Sequence, residues 1–235
     1  MRVLVTRPQP DAARTAARLR ELGHEGIVDS LLSIRPVALA GIPRGPFACL
    51  AATSANAVRV AAATVELDFL RAVPLYTAGS QTAEAARASG FRHVESADGD
   101  AATLARLLAD ECEPGARVLH LAGEDRAQEL TGLLAGDRIA VELLVLYKAE
   151  AATAFGPATV AALSQNTVDA VLHFSLRSAA TFAALAERAG LTEAARKPRH
   201  LCISRNAAEG LNSLGVAAQC AKRPTEAALL ALLGS

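Results

Sequence analysis

A chain of 235 residues, 51% of them hydrophobic, can bury one or two cores without disulfide or metal staples. Its 24 basic and 24 acidic side chains cancel, which excludes a global field for nucleic acid or an anionic membrane, and 3% aromatic content without tryptophan removes the usual base-stacking platforms. Cys49, Cys112, Cys202 and Cys220 are far apart with no C-x-x-C pair, and no apolar run reaches the length of a signal peptide core or a membrane span.

Short β-branched or leucine-rich runs alternate with alanine-rich stretches along the whole chain, the pattern of parallel sheets covered by helices. Strands are expected at residues 3–6, 27–31, 49–53, 75–78, 117–121, 140–146, 168–174, 201–204 and 217–220. After the first strand, Pro10 suits a first helical turn. Ala12, Ala16 and Leu19 make a narrow apolar stripe, Arg14, Arg18 and Glu21 face water, and Gly23 closes the helix in a left-handed conformation. Residues 33–37 are extended because Pro36 disfavours helix at Arg35, and the prolines and glycines of 41–46 make a loop. The third strand leads through Thr53-Ser54 to a helix near Asn56, the fourth through Gly79-Ser80 to a helix near Gln81, and the eighth through Ser204 to a helix near Arg205. Serine or threonine before each start can accept an orphan backbone N–H. Glu124-Asp125, after the fifth strand, reads as a solvated or first-turn acidic pair, and His120 and His173 sit in strand-like runs where a core role is expected.

Three segments of the first half recur in order in the second: 50–58 in 171–179, 75–83 in 201–208, and 100–108 in 223–230. A spacing of roughly 120 residues is too long for a solenoid and points to duplication of a domain. If the crossings near 35–36 and 147–148 link the same two domains, residues 1–34 plus 149–235 form a discontinuous α/β domain. Residues 37–146 are then inserted in it, which compact folds tolerate at exposed loops.

In open parallel sheets ligands bind at the carboxyl ends of strands, and the polar clusters fall there. Thr6 and Arg7 follow the first strand, Ser54 and Asn56 the third, and Gly79, Ser80, Gln81 and Thr82 the fourth. Ser175, Arg177 and Ser178 follow the seventh, and Ser204 and Arg205 the eighth. Helix starts present unpaired N–H groups and partial positive charge, so the expected ligand carries carboxylates or phosphates. No Walker loop, G-x-G-x-x-G, G-x-S-x-G elbow or H-E-x-x-H is present.

The segments Val3-Leu4-Val5-Thr6-Arg7-Pro8, Thr53-Ser54-Ala55-Asn56-Ala57-Val58, Gly79-Ser80-Gln81-Thr82-Ala83, Val145-Leu146-Tyr147, Phe174-Ser175 and Arg223-Pro224-Thr225 together resemble the uroporphyrinogen-III synthase family along nearly the whole chain. That resemblance implies two similar parallel-sheet α/β domains joined by a two-stranded linker, one inserted in the other, with the active site in the cleft between them. It implies a linear tetrapyrrole substrate, hydroxymethylbilane, carrying acetate and propionate groups. The substrate is closed with loss of its terminal hydroxyl as water and inversion of ring D through a spiro intermediate. It further implies no metal or organic cofactor, while the balanced charge, the scarce aromatics and the short apolar runs lead us to expect no nucleic-acid or membrane partner and a cytoplasmic protein, and a monomer is expected. Tyr147 matches the family's tyrosine that helps the hydroxyl leave as acid or hydrogen-bond donor; packing of the linker is its structural alternative.

Because the open-chain substrate closes unaided to the non-inverted isomer, orientation decides the product, and orientation alone supplies roughly 7 to 11 kcal/mol in favourable intramolecular cases. The chain departs from the family pattern at Ile203-Ser204-Arg205-Asn206-Ala207-Ala208, where the usual glycine and threonine are both lost. Ser204 still suits a helix cap, and Arg205 offers a new carboxylate contact. Ser30 stands in place of a usual proline and Ala149 in place of a usual threonine. The alternative function is a non-catalytic or diverged tetrapyrrole- or carboxylate-binding protein of the same fold.

Overall fold

The computed structural model describes residues 1–126 and 129–234, which divide into a terminal unit, Met1–Ser33 with Glu150–Ser235, and a middle unit, Ile34–Ala149. The terminal unit begins with β1 (Arg2–Val5), α1 (Asp11–Glu21) and β2 (Glu25–Val28). On α1, Ala12 and Leu19 are buried while Arg14, Arg18 and Glu21 face solvent. At its end Gly23, at φ +80°, lets His24 N donate to Leu19 O and Gly23 N to Arg20 O. That paired closure satisfies two orphan carbonyls in a conformation unfavourable for a residue with a Cβ. Asp11 and Thr15 are also buried on α1, polar positions that the apolar stripe did not anticipate.

The chain enters the middle unit along β3 (Leu32–Pro36) and leaves it along β8 (Ala140–Ala151). Between them lie β4 (Cys49–Ala52), α2 (Ala55–Ala63), β5 (Leu75–Thr77), α3 (Ser80–Ala88), β6 (Val94–Ser96), α4 (Ala101–Glu111), β7 (Arg117–Gly123) and α5 (Glu129–Leu133). The sheet order is β3-β8-β7-β4-β5-β6, and the registered pairs from β4 to β8 are parallel. Alternation sends Leu50, Ala52, Leu119 and Leu121 to one face and Cys49, Ala51 and Val118 to the other. Both faces are covered, so these strands read as unbroken apolar runs. Each fully buried leucine contributes roughly 1.5 to 3 kcal/mol relative to exposure.

The terminal unit resumes with α6 (Pro157–Ser164), β9 (Ala170–His173), α7 (Leu176–Arg188), α8 (Thr192–Arg196), β10 (Arg199–Cys202), α9 (Arg205–Glu209), β11 (Ala218–Cys220) and α10 (Glu226–Leu230). Its sheet is parallel throughout, in the order β11-β10-β9-β1-β2. Leu4 and Val171 pack on one face, Val3, Val5 and Leu172 on the other. His173 and His200 stack in the first of these cores, 5.3 Å between ring centroids, with Phe182 against both.

The two sheets share one spatial order. Strands β6-β5-β4-β7-β8 correspond to β11-β10-β9-β1-β2, but the pair beyond the central strand follows in the middle unit and precedes in the terminal one. The units are therefore circular permutations of one topology, a rearrangement that compact domains with neighbouring termini accept. In each sheet the strand order reverses at the centre, between β4 and β7 and between β9 and β1. Those reversals open crevices at the carboxyl ends of the strands, where ligands of open α/β sheets bind.

Candidate functional site

In the middle unit, the crevice between β4 and β7 is built by three residues from three strands. Ser54 follows β4 and caps α2, its Oγ accepting from Asn56 N at 3.2 Å, while Asn56 Oδ1 accepts from Arg59 Nη1 at 3.1 Å. Tyr147 comes from β8 by way of a bulge. The register runs from Ala122↔Val145 to Gly123↔Tyr147, leaving Leu146 as an extra residue whose carbonyl accepts from Val37 N. The extra residue breaks the strict alternation, and the Tyr147 ring joins the same core face as Leu144 and Leu146. Gly123 makes room for it. A Cβ there would stand 2.5 Å from the ring Cζ and 2.8 Å from the phenolic oxygen, so only a glycine lets the ring cross β7.

The ring is 8% exposed, and its hydroxyl lies 2.9 Å from Ser54 Oγ, a hydrogen bond in which either oxygen can donate. The pair can give a proton to an oxygen developing negative charge while the serine hydroxyl supports the phenolic oxygen. Sequence reasoning passed over Gly123; the signal was a glycine closing an apolar strand, which marks close approach by another group.

Of the other expected ligand contacts in this unit, Gly79 precedes α3 in an extended conformation, φ −139° and ψ 160°. Ser80 is therefore the first helical residue and is exposed, and it makes no side-chain cap; the expectation of a hydroxyl cap at this helix is corrected because the cap position falls on a residue without a side chain. Gln81 is half-buried and Thr82 is turned inward, buried. The protein's own packing does not require a glycine at 79, since an added Cβ would meet nothing closer than Gly99 O at 3.6 Å. Glu124 and Asp125 are exposed in a short turn after β7.

In the terminal unit, Thr6 and Arg7, expected as ligand contacts, follow the end of β1 and are buried, with bonds inside the protein. Thr6 is fully buried and its Oγ1 donates to Leu172 O at 2.8 Å, bridging the two central strands. The Arg7 guanidinium lies 4.1 Å from the Phe174 ring centroid and pairs with Asp11 at 3.3 Å and Glu226 at 3.4 Å. Thr15 donates to Glu226 as well. Two carboxylates brought inside by the starts of α1 and α10 need a cation beside them, and Arg7 supplies it.

Ser175 caps α7 by accepting from Ser178 N at 3.1 Å, and Ser178, buried, donates back to Ser175 O. Arg177 is half-buried. Ser204 caps α9 by accepting from Ala207 N at 3.2 Å, and Thr225 and Asp100 cap α10 and α4 in the same way. Arg205, the first residue of α9, is exposed and forms no hydrogen bond or ion pair with the described residues.

Among the described residues, no group of three or more histidine, cysteine, aspartate or glutamate side chains could hold a metal ion, and no helix is long and apolar enough to cross a membrane.

A family model described as uroporphyrinogen-III synthase HemD matches residues 13–231. Among solved structures, the chain is similar to uroporphyrinogen-III synthetase from Helicobacter pylori 26695, at 18% identity and TM-score 0.62 over 99% of this chain and 98% of that one. It is also similar to a mutant uroporphyrinogen III synthase from the extremely thermophilic bacterium Thermus thermophilus, at 19% identity and TM-score 0.56 over 100% of this chain and 96% of that one. At these identities the likeness is one of fold. No curated protein matches the chain.

Proposed function

The chain belongs to the uroporphyrinogen-III synthase family, and from that membership we propose that Tyr147, supported by Ser54 and seated on Gly123, is the proton donor of its reaction. The activity is that of a cyclising hydro-lyase of tetrapyrrole biosynthesis: hydroxymethylbilane is closed with inversion of ring D and loss of water. As the terminal C–O bond breaks, Tyr147 gives its proton to the departing oxygen, which leaves as water. Ser54 donates to the phenolic oxygen as charge develops there. The cationic terminus is attacked by the substituted carbon of ring D to give the spiro intermediate. Fragmentation and reclosure then invert the ring, and the proton released as ring D regains aromaticity restores the phenol.

The remaining work is orientation, for which hydroxyls and backbone N–H groups suffice without a strong base. Gly79 supports this reading, because its missing side chain leaves the backbone at the start of α3 open to a substrate carboxylate. Arg205, exposed at the start of α9 with its charge uncommitted within the described residues, is offered as a partner for a substrate carboxylate.

The observation that carries the proposal is the 2.9 Å hydroxyl pair at the β4–β7 crevice. The test couples the protein to an enzyme that generates hydroxymethylbilane, then oxidises the products and separates porphyrin isomers I and III. Isomer III is expected, with at least a tenfold loss of rate in Tyr147→Phe. Isomer I alone at saturating protein would leave a binding protein of this fold, and an unchanged Tyr147→Phe rate would return Tyr147 to packing.

A further inference from the structure

At the opposite end of the middle sheet from Ser54, two thiols touch. Cys49 opens β4, and Cys112 follows the last residue of α4. Both are free, and their sulfurs lie 3.7 Å apart although the residues are 63 positions apart in the chain. Cys49 is 2% exposed and Cys112 is half-buried. The two line a cavity of about 490 Å³ whose wall also includes Tyr76, Glu111 and Glu113, so a small reagent has a path to the pair. Cys112 lies outside the helix in extended backbone, φ −98° and ψ 134°, and has freedom to close the remaining gap to the roughly 2.05 Å of a disulfide.

We propose that Cys49 and Cys112 form a dithiol modification site, converted by an oxidant of the hydroperoxide class into a disulfide that ties the start of β4 to the end of α4. The Cys112 sulfur, as thiolate, attacks the peroxide oxygen. The O–O bond breaks, the peroxide is reduced to an alcohol or water, and Cys112 becomes a sulfenic acid. The Cys49 sulfur then attacks Cys112, the S–O bond breaks, and the departing hydroxide takes the Cys49 proton as water. Two thiols and one hydroperoxide thus become a disulfide, an alcohol or water, and water.

The order of attack follows from the surroundings. Burial and the neighbouring Cys112 push the Cys49 thiol well up, which leaves it a poor first nucleophile but a well-placed resolving one. Cys112, the more accessible of the two, follows the end of α4 at the cavity wall and meets the reagent first; because a thiol attacks as thiolate, the reaction quickens as pH rises.

The test exposes the folded full chain to hydrogen peroxide at pH 7 and pH 9, blocks remaining thiols by alkylation, and maps unreduced peptides by mass spectrometry. A linked Cys49–Cys112 peptide lighter by two hydrogens, faster formation at pH 9, and a Tm raised by several degrees and restored by dithiothreitol are expected. Cys112→Ser should leave Cys49 unoxidised, and Cys49→Ser should carry Cys112 on to the sulfinic acid. Cys112 over-oxidised in the unmodified chain, or linkage chiefly to Cys202 or Cys220, would overturn the proposal. None of these readings depends on isomer formation, so they stand or fall apart from the catalytic assignment.

Discussion

Gly123→Ala separates the placement of Tyr147 from its chemistry. The added Cβ would stand 2.5 Å from Cζ, 2.8 Å from the phenolic oxygen and 2.9 Å from Cε1 of the ring. Ordinary van der Waals contact begins at 3.4 Å, so the ring must retreat by about 0.9 Å. A shift of that size draws out the 2.9 Å bond to Ser54, beyond the range in which hydroxyl–hydroxyl bonds hold. The lost bond accounts for about 0.5 to 1.5 kcal/mol, and misplacement of a reacting group by about 1 Å reaches a hundredfold in rate. The expected fall in kcat is therefore about tenfold to a hundredfold, roughly 1.4 to 2.7 kcal/mol in the barrier. Overpacking lowers stability too, by roughly 1 to 3 kcal/mol. The assay is kcat for isomer III in the coupled system, well below the measured Tm, beside Tyr147→Phe. Because both changes act on one hydroxyl, the double variant should be no slower than the slower single one. Wild-type kcat in Gly123→Ala, or losses that simply multiply in the double variant, would refute the placement argument.

Gly79→Ala should raise KM while leaving Tm unchanged or slightly higher, because the site has room for a Cβ in extended backbone but close approach of a ligand is lost; an unaltered KM would remove Gly79 from substrate contact. Arg205→Ala should raise KM several-fold at low salt, about 1 kcal/mol or less for so exposed a charge, and the difference should fade as salt rises; a KM indifferent to this change at low salt would remove Arg205 from substrate contact. Burial holds His173 well below the usual histidine value, helped by His200, and burial lowers His200 against the opposing Ala195 carbonyl bond. The folded chain therefore resists protons that the unfolded chain accepts: stability is complete above about pH 6.5 and is lost as pH falls below it, at up to about 1.4 kcal/mol per pH unit for each histidine until the folded values are reached. Melting curves from pH 5 to 8 should show this slope, and His173→Leu with His200→Leu should abolish it; a slope unchanged in the double variant would place its origin elsewhere.

The α/β class and the paired units were legible in the sequence because a strand covered on both faces must be apolar throughout and a helix over it apolar on one side only. Ser54 and Ser204 were legible as caps because a cap bonds within three residues of itself. Strand β6 was not, since three residues at a sheet edge, two half-buried and one exposed, carry no readable period. Thr6 and Arg7 carry the same polar signature whether they meet a ligand or the protein. Only the arrival of Asp11 and Phe174, and of Glu226 from the far end of the chain, turns Arg7 inward. Tyr147 could be matched to a family, but its seat could not be read from the residues around it. The bulge at Leu146 is a property of how β8 registers on β7, and the ring's path over Gly123 to Ser54 joins three strands. The meeting of Cys49 and Cys112 has the same character. Local sequence sets torsions, caps and the side that each element buries. Which polar atoms then face one another is decided by close packing between segments far apart in the chain, where a displacement of less than an ångström makes or breaks the contact.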